Sequence, residues 1–320
     1  MPAKLAVIVG TCLVAAACAE EPSVRVQAQE PLSVRLRTGP QGGGFFPLGE
    51  QLAHAIGDRV PGVVIQTLSS SGAVANVHAV QDGTTELGFT FADVAYIAYS
   101  GQLTGDPRPF ERLRAIAVLQ VTPIALAVRA DLPIHSPADL RGRRVGLGPS
   151  GSGTALTARL ILKAFGVDTS VSDIETIGFQ EAASRLADGT LDAMFDNAIN
   201  QSDSLRRAIE SRARLVPIEG PSVDNLRREY PFLKLTTISR LMYPGLPASV
   251  HTIGVDGVLI CRSDLDEHLV YNLTKQLFVS IETLSGSGAL RAMDVSQASA
   301  TPIPLHDGAA RYYRERELSR

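Results

Sequence analysis

Apolar and polar positions along this chain switch repeatedly between a period of two and a period near 3.6. Leu32-Ser-Val-Arg-Leu-Arg37 alternates as a half-buried strand; after a glycine-rich turn, Leu48, Leu52, Ala55 and Ile56 recur at helical spacing. The same unit returns at Val63-Val-Ile-Gln-Thr-Leu68, where Ser69 to Asn76 leads into a helix carrying Val77 and Val80. It returns again at Leu87-Gly-Phe-Thr-Phe91, which presents Ala92 and Asp93 at a helix start. Residues 113–121 and 124–128 read as two separate strands, because Pro123 between them lacks the N–H that a ladder needs. Ser136 and Pro137 have the chemistry of a helix start, as N-cap and first-turn residue. Further on, the pattern predicts strands over 174–179, 191–195 and 250–260. Helices are predicted over 180–187, 224–230 and 269–284, with a loop over 217–224. Strand and helix alternate almost throughout, which indicates the α/β class.

The first seventeen residues stand outside this pattern. One cation, Lys4, precedes the small or apolar run Leu5 to Ala17, which is too short to span a bilayer and has the form of an export signal. Ala15-Ala-Ala-Cys18 resembles a lipobox, with Cys18 as the lipid acceptor and Ala15 in place of the usual leucine; ordinary cleavage after Ala17 or Ala19 also fits. Residues 18–30 read as a flexible tether. Export makes disulfides possible, yet of three cysteines only Cys261 lies in the body, after Val258-Leu-Ile260, where a buried small hydrophobe is expected.

Composition narrows the classes further. A net charge of -3 without a basic stripe argues against a nucleic-acid partner, and about 45% apolar residues suit a globular body. Its length exceeds what one core usually organises, so two lobes are expected. The six histidines are scattered, with no H-E-x-x-H, G-x-S-x-G or paired-cysteine motif, so neither a metal nor a cofactor is expected.

The most informative segment is Arg143 to Thr154, a short apolar strand that runs into Gly148-Pro-Ser-Gly-Ser-Gly-Thr154 and then into a helix with Leu156, Leu160, Ile161, Ala164 and Phe165 on one stripe and Gly166 at its end. The first amides of a helix have no intrahelical partner and lie at the positive end of its dipole, so they suit a carboxylate or phosphate. Ser150, Ser152 and Thr154 add hydroxyls. Gly146, Gly148 and Gly151 also satisfy G-x-G-x-x-G, but reduced nicotinamide is not maintained outside the cell membrane. A nucleoside triphosphate loop would need lysine where Gly153 stands. A purely structural strand-to-helix turn is the competing reading.

Six segments in order resemble the TAXI family of solute receptors that serve TRAP transporters. They are Thr38-Gly-x-x-Gly-Gly-x-Phe-Phe-Pro47, Ser70-x-Gly-x-x-x-Asn76, Leu140-x-Gly-x-x-Val-x-x-Gly148, Gly151-Ser-Gly-Thr154, Tyr243-Pro-Gly245 and Pro304-Leu-His-x-Gly-Ala-x-Arg-Tyr-Tyr313. The resemblance implies a type II-like periplasmic binding protein fold. Two α/β lobes, residues 31–121 with 236–320 and residues 122–235, would flank a ligand cleft. It implies a periplasmic location, a small organic anion as ligand, in the form of a carboxylate or amino acid, and membrane subunits of a TRAP transporter as partners. Phe45, Phe46, Ala73 and Phe91 replace polar residues usual in the family, which implies a less polar ligand body.

On this reading Ser150, Ser152, Gly153 and Thr154 hold the carboxylate. Asn76 and Ser71 contribute polar contacts from lobe one, Phe45, Phe46 and Phe91 form an apolar wall, and Asp196 or Asn197 reaches in from the opposite rim. Competing roles are a cap or turn amide for Asn76, core packing for the phenylalanines and a helix cap for Asp93. Hinges are expected near Val121 and Lys234. An exported hydrolase built on His78, His251 and His306, or a sensory rather than transport partner, are the alternatives.

Overall fold

The computed structural model describes residues 31–318 except 42, 58, 170–172, 198–201 and 285–292; the export signal, the tether and Cys18 lie outside the described residues. The first three repeats form as expected: β1 (Leu32–Arg37), α1 (Phe45–Gly57), β2 (Val63–Leu68), α2 (Ala73–Gln81), β3 (Leu87–Phe91) and α3 (Ala92–Tyr99). β1 buries Val34 and Leu36 and turns Arg35 outward, where its guanidinium grips Glu86 through two bonds of 2.9 and 2.6 Å. That contact holds the Glu86 carboxyl below the usual carboxylate range.

The next element differs from expectation. β4 runs without a break from Leu113 to Arg129, straight through Pro123. The last pairing of β4 with the later strand β10 is Pro123 with Gly254, and its pairing with β7 begins at Ile124 with Asn197. Pro123 therefore falls where the strand exchanges partners, and its missing donor interrupts the interior of neither ladder.

Beyond β4 come a 3-10 turn at Pro137–Leu140, β5 (Val145–Gly146), α4 (Gly153–Ala164), β6 (Ile174–Glu175), α5 (Phe179–Ala187) and β7 (Ala193–Asn197). They are followed by α6 (Asp203–Glu210), β8 (Ala213–Val216), α7 (Pro221–Glu229), β9 (Leu233–Ile238), β10 (Val250–Arg262), α8 (Glu267–Leu284) and α9 (Asp307–Leu318). Ser136 caps the 3-10 turn, and Asp139 answers from the third position to complete a capping box. The strand expected over 174–179 stops at Glu175, and Phe179 opens α5. The loop expected over 217–224 gives way to α7 at Pro221, a first-turn proline. Cys261 is buried on β10, and burial pushes its thiol up out of the reactive range.

The strands make one sheet in the order β2-β1-β3-β10-β4-β7-β5-β6, with β9 on β10 and β8 on β4. The N-terminal part of β4 belongs to the ladder of β10, and its C-terminal part lies between β7 and β8. The helix-opening ends of β1, β2 and β3 in one half thus meet those of β5, β6 and β7 in the other. Among the described residues no helix is long and apolar enough to cross a membrane.

Candidate functional site

The loop that opens α4 needs its glycines. Gly148 and Gly151 adopt φ of 99° and 78°, which side-chain-bearing residues avoid, and a Cβ on Gly148 would press on the Phe179 ring. Ser152 is the N-cap, its hydroxyl accepting from the Ala155 amide at 3.1 Å. Among the described residues the amides of Gly153 and Thr154 donate to no protein acceptor, although both residues are buried. Two helix-start N–H groups are thereby left for another partner.

This loop sits directly against the other half of the sheet. The Gly151 carbonyl accepts from the Val74 and Ala75 amides, at 3.0 and 3.3 Å, so it caps the start of α2. Gly72, at φ 127°, passes the Ser152 backbone so closely that a Cβ would lie 3.0 Å from its Cα. The Phe91 ring lies against Gly153, where any side chain would overlap it. Phe179 plays the same part at the neighbouring loop, filling the space between Gly43 and Gly148. Beside the loop a hollow of about 460 Å³ opens, its walls including Val74, Ile97 and Leu103 from one half and Ser150, Ser152 and Arg159 from the other.

Register brings further polar atoms to the face of the sheet that carries Phe91. Gly257 of β10 is opposite Phe91, and Val255 is opposite Thr122, so Phe91 and Thr122 extend from one face of the sheet. Asn197 is opposite Ile124, two residues beyond Thr122, and shares that face. Its Nδ2 lies 3.5 Å from Thr154 Oγ1. Thr122 Oγ1 and Asn197 Oδ1 are both buried with no hydrogen-bond partner, a costly arrangement that suits groups awaiting a ligand.

The expected site residues fall into two groups. Ser150, Ser152, Gly153, Thr154, Phe91 and Asn197 come together, with Ser71 exposed next to Gly151. Phe45 stacks beneath them, its ring 4.8 Å from Phe91 and 5.3 Å from Phe89, and Phe46 is half-buried on α1. Asn76 Nδ2 donates at 2.7 Å to both the Thr38 and Phe89 carbonyls and tethers β1 to β3, while its Oδ1 is buried with no hydrogen-bond partner. Asp196 points to the opposite face from Asn197, and there the hydroxyls of Ser202 and Ser204 donate to it. Burial pushes its carboxyl up to about 7. Tyr243 completes this cluster, its phenol oxygen accepting from the Ser202 amide at 2.9 Å.

The placement of Thr122 and the second contact of Asp93 are not legible in the sequence. Thr122 carries no motif, and only strand pairing reveals where it points. Asp93 does more than serve its own helix: besides accepting from the Val94 amide, it receives the Thr157 hydroxyl of α4 at 3.0 Å. Among the described residues no group of His, Cys, Asp and Glu could hold a metal ion, and none of His78, His251 and His306 hydrogen-bonds to a serine.

Residues 36–316 match the model of the NMT1-like family. Among solved structures, the alkanesulfonate-binding protein SsuA from Xanthomonas axonopodis pv. citri, bound to MOPS, is 16% identical. The match covers 90% of this chain and 85% of that one at a TM-score of 0.51. The periplasmic binding protein BugD is 14% identical over 89% of this chain and 94% of its own, with a TM-score of 0.56. At such identities the likeness establishes the fold, which is that of type II-like periplasmic binding proteins.

Proposed function

This chain belongs to the NMT1-like family, and from that premise we propose that it is an extracytoplasmic solute receptor that closes on a small anion and delivers it to membrane subunits. The observation that carries this reading is the α4 start, where two buried amides that have no protein acceptor among the described residues adjoin Asn197, whose Nδ2 lies 3.5 Å from Thr154 Oγ1, at the meeting of the two halves. Donors of that kind fit a carboxylate, and a sulfonate such as the one SsuA binds offers similar oxygens. We favour a carboxylate with an apolar body, since Val74, Ile97, Leu103 and Leu156 line the hollow beside the loop. The lobes are assigned as 31–121 with 236–320 and 122–235, hinged where β4 changes partners near Val121 and where β9 carries Lys234, which pairs with Asp256 at 2.6 Å. No covalent step is assigned to the site.

The six segments resembling TAXI receptors support TRAP-type membrane subunits as partners, and the Ala15-Ala-Ala-Cys18 sequence supports a periplasmic body anchored by lipid at Cys18. Solute released by mild unfolding of the purified protein and identified by mass spectrometry tests the proposal. A small carboxylate is the expected result; a sulfonate would move the ligand class. No organic anion, together with no thermal shift on titrating a carboxylate panel, would overturn the reading.

A further inference from the structure

The contact between Asp93 and Thr157 joins α3 of one half to α4 of the other. We propose that Asp93 is a proton-linked clasp, so that closing of the two halves takes up a proton and is favoured by acidification. The inference rests on the closing motion of the receptor reading.

Asp93 is wholly buried, and its partners are backbone amides and the Thr157 hydroxyl; no cation is among them. The titratable groups on the elements around it are engaged elsewhere or lie apart from it. His78 on α2 faces Asp106, Asp256 on β10 faces Lys234, and Cys261 on β10 is a buried neutral thiol. His251 on β10, Tyr96 and Tyr99 on α3, and Arg159 and Lys163 on α4 form no bond with Asp93. A carboxylate buried without a counter-charge favours its neutral form, and burial pushes the Asp93 carboxyl up to about 6.

Geometry agrees with that direction. Thr157 has a single proton, yet both Asp93 Oδ2 and the Gly153 carbonyl lie 3.0 Å from its Oγ1. An ionised Asp93 must compete with Gly153 for that proton. Protonated, Asp93 donates to Thr157 Oγ1 and Thr157 donates to Gly153, so both bonds form in one chain. When the halves part, Asp93 meets water and its carboxyl returns to the ordinary value near 3.9. The ratio of closed to open molecules should then be flat above about pH 6, rise roughly tenfold per unit as pH falls, and level off near pH 4.

The test uses the full chain with Cys12 and Cys18 changed to serine, Val64→Cys on β2 and Asp224→Cys on α7 carrying nitroxide labels, and buried Cys261 left in place. Distances between labels are read by pulsed electron spin resonance from pH 8 to pH 4. The expected result is growth of the short-distance population below about pH 6 in the parent chain and no pH dependence in Asp93→Asn. Thr157→Val, which removes a donor to the ionised form, should shift the onset to higher pH. Two distance populations whose ratio ignores pH, or follows it equally in Asp93→Asn, would sink the clasp. One fixed distance in every variant and buffer would remove the closing motion itself.

Discussion

Single side chains here carry costs that can be measured one at a time. Asn76 satisfies two buried carbonyls on neighbouring strands, so Asn76→Ala should lower unfolding free energy by about 2–3 kcal/mol in urea titrations. Ser152→Ala removes a helix cap and should cost about 1 kcal/mol in the same measurement, separate from any effect on ligand. Asp196 sets a pH dependence of the opposite sense to a salt-bridged carboxylate. Its folded-state value, about 7, stands above the ordinary value, so its contribution is complete below about pH 4 and is lost as pH rises through 7. Unfolding free energy should therefore increase as pH falls from 7 toward 5, by at most about 1.4 kcal/mol per unit from this group. Asp196→Asn should flatten that slope, since an amide oxygen can still accept from Ser202 and Ser204.

At the scale of elements, the α4 start depends on a missing side chain. Gly153→Ala places a methyl in the Phe91 ring, so the two halves can no longer seat against each other, and solute affinity should fall at least tenfold by calorimetric titration with the released solute. Phe91→Ala in the same chain should recover part of that loss by making room; no recovery would mean that the contact does not govern closing. Much of this region is legible in the sequence, because glycine and hydroxyl residues before an apolar helical stripe have few alternatives. The remainder is decided by pairing. Asp196 and Asn197 read in sequence as one polar rim, whereas adjacent residues on a strand point to opposite faces, and only Asn197 reaches α4. Pro123 suggests a break because local chemistry cannot show that a strand is changing partners at that residue. Thr122 and the Thr157 contact of Asp93 depend on elements distant in sequence, which no spacing rule could bring together.

For the molecule as a whole, the repeated strand-to-helix units make the α/β class legible, and the order of motifs anticipates the binding-protein fold. The manner of joining the halves is not legible, since it rests on β4 running past Pro123, where a strand is expected to stop. β4 spans seventeen residues and pairs with strands of both halves, so each half depends on the other for a ladder. A urea titration followed by circular dichroism should accordingly show one transition; two resolved transitions would indicate halves that fold independently.

The shared strand also limits how this protein could be dissected. A fragment cut at Pro123 would expose main-chain donors and acceptors along a raw edge, and such edges recruit other chains. Either half produced alone is expected to precipitate, whereas new termini placed at the surface turn carrying Gly105, away from β4 and β10, should leave a soluble circular permutant.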